Sequence, residues 1–230
     1  MTSTPLKTSD ISVIVPVLNE QDNIPSLAKS LEGGDFEVIL VDGGSSDATV
    51  ELAGEYMFTV ITSQPGRGLQ QNTGALQAHG KILLFLHADT SLPENFATAV
   101  LQEVVKDGFI AGAFRLQIEE PTLSMRFIAA CANLRSRLFQ LPYGDQAIFI
   151  SRDNFIKLQM FPNLPIMEDY IFIKRAKKHG RIAILDKTVV TSARRWRRLG
   201  VIRTTLINQL VLLGFFFKVS PDKLALLYRR

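Results

Sequence analysis

A chain of 230 residues has room for one large domain with a real buried core. With 47% hydrophobic and 21% charged residues it is neither a disordered chain nor a polytopic membrane protein. The net charge is only +4 and Cys131 is the sole cysteine, which excludes an internal disulfide and any cysteine-rich zinc centre. Cys131 itself reads as a small core residue. The polar N-terminus, residues 1–10, has no apolar signal-peptide core, so export by that route is not expected. These features point to a cytoplasmic protein.

The first apolar run, Ile11–Val17, reads as a strand, and Pro16 is expected to end its ladder. Asn19 or Glu20 then caps an amphipathic helix over Gln21–Leu31. A second strand ends on Asp42 and runs into Gly43-Gly44-Ser45-Ser46-Asp47, whose glycines let backbone approach a ligand and whose polar residues suit a helix cap. Helices over Ser46–Ala53 and Leu69–His79 flank a strand at Thr59–Ile61. Gly66-Arg67-Gly68 sets a cation before the second of these helices. The alternation means a mostly parallel α/β sheet with helices on its faces.

The run Lys81–Leu86 leads into His87-Ala88-Asp89. Ligand crevices of open α/β sheets lie beyond the carboxyl ends of their strands, so Asp42 and Asp89 mark a candidate site. If the strand continues to Asp89, His87 lies on the same side, a pair suited to a divalent metal. Further strands are expected at Ala111–Ile118, Gln146–Ile150, Ile182–Leu185 and Val189–Thr191, with a helix or helix pair over Thr122–Phe139. Asp145 sits on a turn. Glu168 and Asp169 open a helix expected to run to His179 and stop at Gly180, where acids commonly serve only as dipole partners.

Arg194, Arg195, Arg197 and Arg198 crowd together, Arg203 follows, and the chain closes on Arg229-Arg230. Such clustering suits an anionic partner, whether nucleotide, lipid phosphate, bilayer surface or nucleic acid. Val201–Phe217 is rich in Leu and Phe, but its uninterrupted apolar run is too short to span a bilayer. Core packing, a homodimer contact and a peripheral membrane-surface contact are all open to it.

There is neither a P-loop nor a G-x-G-x-x-G fingerprint after the first strand, which argues against an NAD enzyme. The ordered set tells more: a strand with Pro16-x-x-Asn19-Glu20, then Asp42-Gly-Gly-Ser-Ser-Asp47, a run ending in Asp89, Glu168-Asp169, and Arg195-Trp196. From Ile11 to Trp196 this resembles the family 2 glycosyltransferases of GT-A fold. The closing stretch through Tyr228 also resembles a bacterial subgroup named for its association with radical-SAM and selenoprotein-like domain genes.

The resemblance implies an inverting, metal-assisted transfer of a sugar from a UDP- or GDP-sugar to an acceptor hydroxyl; the arginine cluster and the apolar helix fit a lipid-linked acceptor, and a soluble one stays open. It implies that Pro16, Asn19, Glu20, Asp42, Gly43, Arg67, Gly68, His87, Asp145, Glu168, Arg195 and Trp196 line the nucleotide-sugar site. Asp89 would hold Mg²⁺ or Mn²⁺ and Asp169 would be the general base. Residues 11–199 would form the transferase domain, and 200–230 a set of apolar and basic helices. His87 replaces the first acid of the family's Asp-x-Asp motif, and Ser192 stands where its last motif carries Gln or Arg, so a processive polymerase is not supported. The alternatives are a nucleotidyltransferase, disfavoured because Val17-Leu18-Asn19 offers no Gly- and Lys-containing loop, and a non-catalytic nucleotide-sugar binder. Nucleic acid is not an expected partner, because no recognition motif accompanies the arginines.

Overall fold

The computed structural model describes residues 5–104, 106 and 108–229. Residues 1–4 of the expected polar tail and Arg230 lie outside them. The parallel half of the sheet is built from β1 (Ile11–Val17), β2 (Glu37–Asp42), β3 (Thr59–Thr62) and β4 (Ile82–Phe85), joined by α1 (Ile24–Leu31), α2 (Thr49–Glu55) and α3 (Arg67–Gln77). After β4 come β5 (Thr90–Ser91), α4 (Phe96–Val104), β6 (Phe109–Ile118), α5 (Leu123–Phe139), β7 (Ile148–Ser151) and α6 (Arg152–Lys157). The chain closes with α7 (Glu168–Ala176), β8 (Arg181–Thr191), α8 (Arg194–Leu199), α9 (Val201–Phe216) and α10 (Pro221–Arg229).

The strands form one sheet in the order β3-β2-β1-β4-β7-β6-β8-β5. It is mixed and mostly parallel: β7 runs antiparallel to both β4 and β6, and β5 antiparallel to β8. The apolar runs are unbroken because the parallel strands are buried on both faces. Along β1, Val13 and Val15 pack on one side with Leu40 and Leu84, while Ile14 packs on the other with Val41 and Phe85. Helix α3 lies close on the second face because residue 74 is glycine. A Cβ there would come within 2.5 Å of Ile14 Cγ2.

Several boundaries differ from the sequence reading. Pro16 does not end β1, for Pro16 pairs with Val41 and Val17 with Asp42. The carbonyl of Ile14 accepts from Leu86 on the β4 side, so alternation turns the missing N–H of Pro16 toward that side, where pairing has already stopped at Ile14–Phe85. Helix α1 starts at Ile24, with Pro25 in its first turn, and neither Asn19 nor Glu20 is its N-cap residue. The two short strands expected near residues 182–191 are one strand, β8, paired with β6 through a register irregularity near Ala113–Arg115. The region 122–139 is one helix rather than a pair. Helix α7 ends at Ala176, before Gly180. Cys131 is exposed on α5, not a core residue.

Candidate functional site

The turns after β1 and β2 are laced together. Asn19 takes positive φ, donates its N–H to Ser45 Oγ at 2.9 Å and accepts from Ser46 N at 2.8 Å. Glu20 N–H donates to Thr49 Oγ1 at 2.8 Å. Gly43 N–H donates to Val17 O, and the buried Gln70 amide spans the carbonyls of Val17 and Val41, both at 2.8 Å. Asp42 is buried, and its carboxylate accepts from Gly44 N at 2.9 Å and from Ser45 N at 3.1 Å, so it also holds its own turn together.

Past Phe85 the chain leaves the sheet. His87 and Asp89 therefore lie on a turn, closed by Thr90 N–H to His87 O at 3.1 Å, and strand alternation does not set their relative orientation. The turn is held from across the sheet: β5 pairs with the end of β8, and Ser192 N–H donates to Asp89 O at 2.9 Å. The same crossing delivers α8. There Arg194 pairs with Glu20 at 3.0 Å, closing the side of the first turn.

The second half of the cluster comes from α7 and the Tyr143–Gln146 turn. Gly144 N–H donates to Asp169 Oδ2 at 2.7 Å, and Tyr170 N–H donates to Asp169 Oδ1 at 2.7 Å. A Cβ at position 144 would sit 2.8 Å from His87 Nε2 and 3.2 Å from Asp169 Oδ2, so this glycine lets three segments meet. Arg67 Nε donates to Glu168, a carboxylate only 1% exposed. A Cβ on Gly68 would lie 3.2 Å from Glu168 Cγ. Tyr143 lies under the Arg135 guanidinium at 3.5 Å from its centroid.

Burial dominates the electrostatics. It works against the Arg67 charge, but Glu168 and Asp169 outweigh it and raise the guanidinium's pKa. Burial, reinforced by Arg67, holds the His87 imidazole down at about 4, although Asp89 and Asp169 oppose this. Neutral His87 thus keeps a ring nitrogen free for a ligand, and its Nε2 is buried with no partner. Burial pushes Asp145 up to about 6, with Arg135 opposing, and its Oδ1 is also buried and unpartnered. Burial likewise raises Glu20, against the pull of Arg194 and with help from Asp89.

Asp145 gives a pH signature. Between the ordinary carboxylate value of about 3.9 and the folded value of about 6, the folded protein holds a proton that the unfolded chain has lost. Wild-type stability from this group therefore falls as pH rises through that window and is level above it. Asp145→Asn removes the effect. Its stability relative to wild type should climb by about 1–3 kcal/mol from pH 4 to 6 and then plateau. Urea melts of both proteins in chelator check this, and a pH-independent difference would contradict a protonated Asp145.

Two expected site residues are held by contacts other than the acids, and the first of them stacks on a tyrosine that also acts on the Arg67 charge. Arg195 stacks on Tyr228 at 3.6 Å and donates to Tyr228 O at 2.7 Å, tying α8 to α10. Trp196 packs with Ile118, Met125 and Ala129. Conversely, Arg194, Arg135, Gln70 and Gly144 were not singled out from the sequence as site residues. The roles of Arg194, Gln70 and Gly144 rest on contacts across long stretches of chain, and that of Arg135 on its reach to the turn at residues 141–146, with no sequence pattern to announce them.

Among the described residues no three His, Cys, Asp or Glu side chains converge as a metal cage. Asp89 and the free His87 Nε2 nevertheless fit an open site. Mg²⁺-type ions are commonly held by one or two carboxylates together with substrate phosphates.

The family described as Glycosyl transferase family 2 matches residues 12–161. The chain belongs to that family. It is 27% identical over 119 residues to an undecaprenyl-phosphate 4-deoxy-4-formamido-L-arabinose transferase of Pseudomonas fluorescens, covering 46% of this chain and 35% of that one. It is 39% identical over 93 residues to a PGL/p-HBAD biosynthesis glycosyltransferase of Mycobacterium bovis, covering 36% of each. The chain thus spans about a third of the length of these relatives. Among solved structures, S. aureus TarS with UDP-GlcNAc superposes with TM-score 0.60 at 23% identity, covering 79% of this chain and 58% of that one. Glucosyl-3-phosphoglycerate synthase of Mycobacterium tuberculosis, with Mn²⁺ and UDP-glucose, superposes with TM-score 0.61 at 22% identity, covering 87% and 77%. The α/β sheet flanked by helices is thus the GT-A arrangement expected from the sequence.

Proposed function

We propose that this family 2 chain transfers a sugar, with inversion, from a UDP- or GDP-sugar to an acceptor hydroxyl, with residues 11–199 as the transferase unit. The observation that carries the reading is the meeting of Asp169, Gly144 and His87 beside the Arg67–Glu168 pair, just beyond the carboxyl ends of the parallel strands. The family match and the nucleotide-sugar complexes of the structural neighbours support it. On the closing stretch through Tyr228 we place it in the radical-SAM-associated subgroup. A lipid-linked acceptor accords with the name of the Pseudomonas relative.

In this reading the turns of Pro16, Asn19, Glu20, Asp42 and Gly43 cradle the base and ribose. Asp89, with His87, would hold a divalent ion, which when bound would supply charge neutralisation for the leaving diphosphate. Arg67 is oriented by Glu168 and keeps guanidinium N–H groups beyond Nε to face the same charge. Asp169, fixed by two backbone N–H groups, takes the acceptor's proton as its oxygen bonds to the anomeric carbon. The carbon–oxygen bond to the diphosphate breaks and carries the electron pair away. Asp145, beside Tyr143 on the turn that holds Asp169, lines the same nucleotide-sugar site.

Thermal melts with UDP-, GDP- and dTDP-sugars, with and without Mn²⁺, test the reading. One donor should raise the melting temperature in a Mn²⁺-dependent way, because a ligand stabilises only the state that binds it. Asp89→Asn should abolish that dependence. No shift with any donor would sink the assignment, whereas stable donor binding without turnover on any acceptor would mark a nucleotide-sugar binder.

A further inference from the structure

Two neighbouring helices turn apolar stripes to solvent. On α5 the exposed residues Leu123, Phe127, Leu134 and Leu138 follow helical spacing, and Phe127 is 70% exposed. The opposite face, Met125, Ala129 and Ser136, is buried. On α9 the exposed stripe is Ile202, Leu206, Leu210, Leu213 and Phe217, the last just past the helix end, while Thr204, Ile207 and Val211 face inward. One apolar cluster ties Met125, Ile128 and Ala129 of α5 to Trp196 of α8 and Val201 of α9, so the stripes belong to adjoining elements.

Along the two helices themselves the charge has one sign. Neither α5 nor α9 contains an Asp or Glu, and there is none from Lys187 to Pro221. Arg126 and Arg137 are exposed along one flank of the α5 stripe, and Lys218 is exposed beyond the α9 stripe. At the neighbouring α8, Ser192, Arg194, Arg197 and Arg198 line an open hollow of about 490 Å³. Arg197 is answered there by Glu119 at 2.8 Å and Glu120 at 3.7 Å, and Arg194 by Glu20. Arg198, Arg126, Arg137 and Lys218 leave the surface cationic.

From these stripes and this charge we infer that α5 and α9 dock the protein on an anionic phospholipid bilayer, lying in the interface without crossing it. Apolar side chains enter the headgroup–acyl boundary and the flanking cations meet lipid phosphates, the arrangement of in-plane helices. No helix among the described residues is long and apolar enough to cross a membrane. A second copy is the poorer occupant. A two-fold contact would bring the Arg126, Arg137 and Lys218 of one copy against a surface whose α5 and α9 hold no acid. Charge complementarity therefore selects the bilayer.

The docking face also adjoins the candidate site. The inward residues Ile207 and Val211 of α9 pack with Ile166 and Met167, immediately before Glu168. Tyr170, beside Asp169, meets Phe215 edge-on at 5.7 Å. The α5 helix leads into the turn whose Gly144 binds Asp169. Docking would set the Asp169 segment about one helix diameter, roughly 10 Å, from the lipid. The inference does not depend on the transfer reaction, and vesicle binding is measured without donor or turnover.

The test is co-sedimentation of the full chain with phosphatidylcholine vesicles, with and without phosphatidylglycerol, at low and high salt. Binding should need phosphatidylglycerol and weaken with salt. It should fall at least about tenfold in Phe127→Glu/Leu134→Glu and in Leu206→Glu/Leu213→Glu. All four positions are exposed, so circular dichroism melts of the variants should match wild type. Failure to bind either vesicle, or unchanged binding by both folded double variants, overturns the inference. So does a dimer in light scattering that these substitutions dissolve, because the stripes would then be a subunit contact.

Discussion

Asp169→Asn is expected to lower turnover by about 10²–10⁴-fold while leaving donor affinity within a few-fold of wild type, the size of effect assigned to a positioned general base. Its carboxylate is held by Gly144 N–H and Tyr170 N–H, both at 2.7 Å. An asparagine can keep its carbonyl oxygen on one of these donors, so the turn should persist while the proton acceptor is lost. Thermal shift with the donor reports binding, and release of nucleoside diphosphate reports turnover. Wild-type turnover in the Asn variant would remove Asp169 from the chemistry. Loss of donor binding as well would recast it as a residue that shapes the site.

Breaking the Arg67–Glu168 pair should give the largest loss of stability. Glu168 is 1% exposed and Arg67 36% exposed, so Arg67→Met leaves a buried carboxylate without its cation. Removing one partner of a buried pair typically costs about 3–5 kcal/mol, and the low end is expected because the arginine still reaches water. Arg67→Met/Glu168→Leu should recover most of the loss, since a matched apolar pair strands no charge. Urea melts of the two single variants and the double variant give the coupling. A loss below about 1 kcal/mol for Arg67→Met would place the pair in the class of solvent-screened surface contacts.

The parallel half of the sheet was legible because its strands carry the simplest of signals. Ile11–Val17 and Glu37–Asp42 are apolar on both faces, and Gly43-Gly44 marks where the chain must turn. The candidate acids at 42 and 89 followed from where such strands end, and Asp169, in the first turn of its helix, from the resemblance to the family. Helices α4, α6 and α8 and the short strand β5 were not anticipated. Such short elements carry too few turns for periodicity to register, and packing against the sheet stabilises them more than their own propensity. Strand β8 looked like two pieces because Asp186 and Lys187 interrupt the apolar pattern, whereas β6 accommodates them through a shifted register.

By itself, the order of residues determined the α/β class, the apolar strands that build its parallel half, and the strand-end turns at which ligands are expected. These are local properties: side-chain branching, alternation, and glycine where backbone must come close. Only the tertiary structure decided which distant groups face one another. Arg67 meets Glu168 across 101 positions, and Arg194 meets Glu20 across 174. It also decided that Cys131, Phe127 and Leu134 face outward, because α5 is apolar on both sides and a helix's sequence names its faces without saying which one the sheet will cover. Burial follows from what packs opposite, and that partner is chosen by the folded chain as a whole.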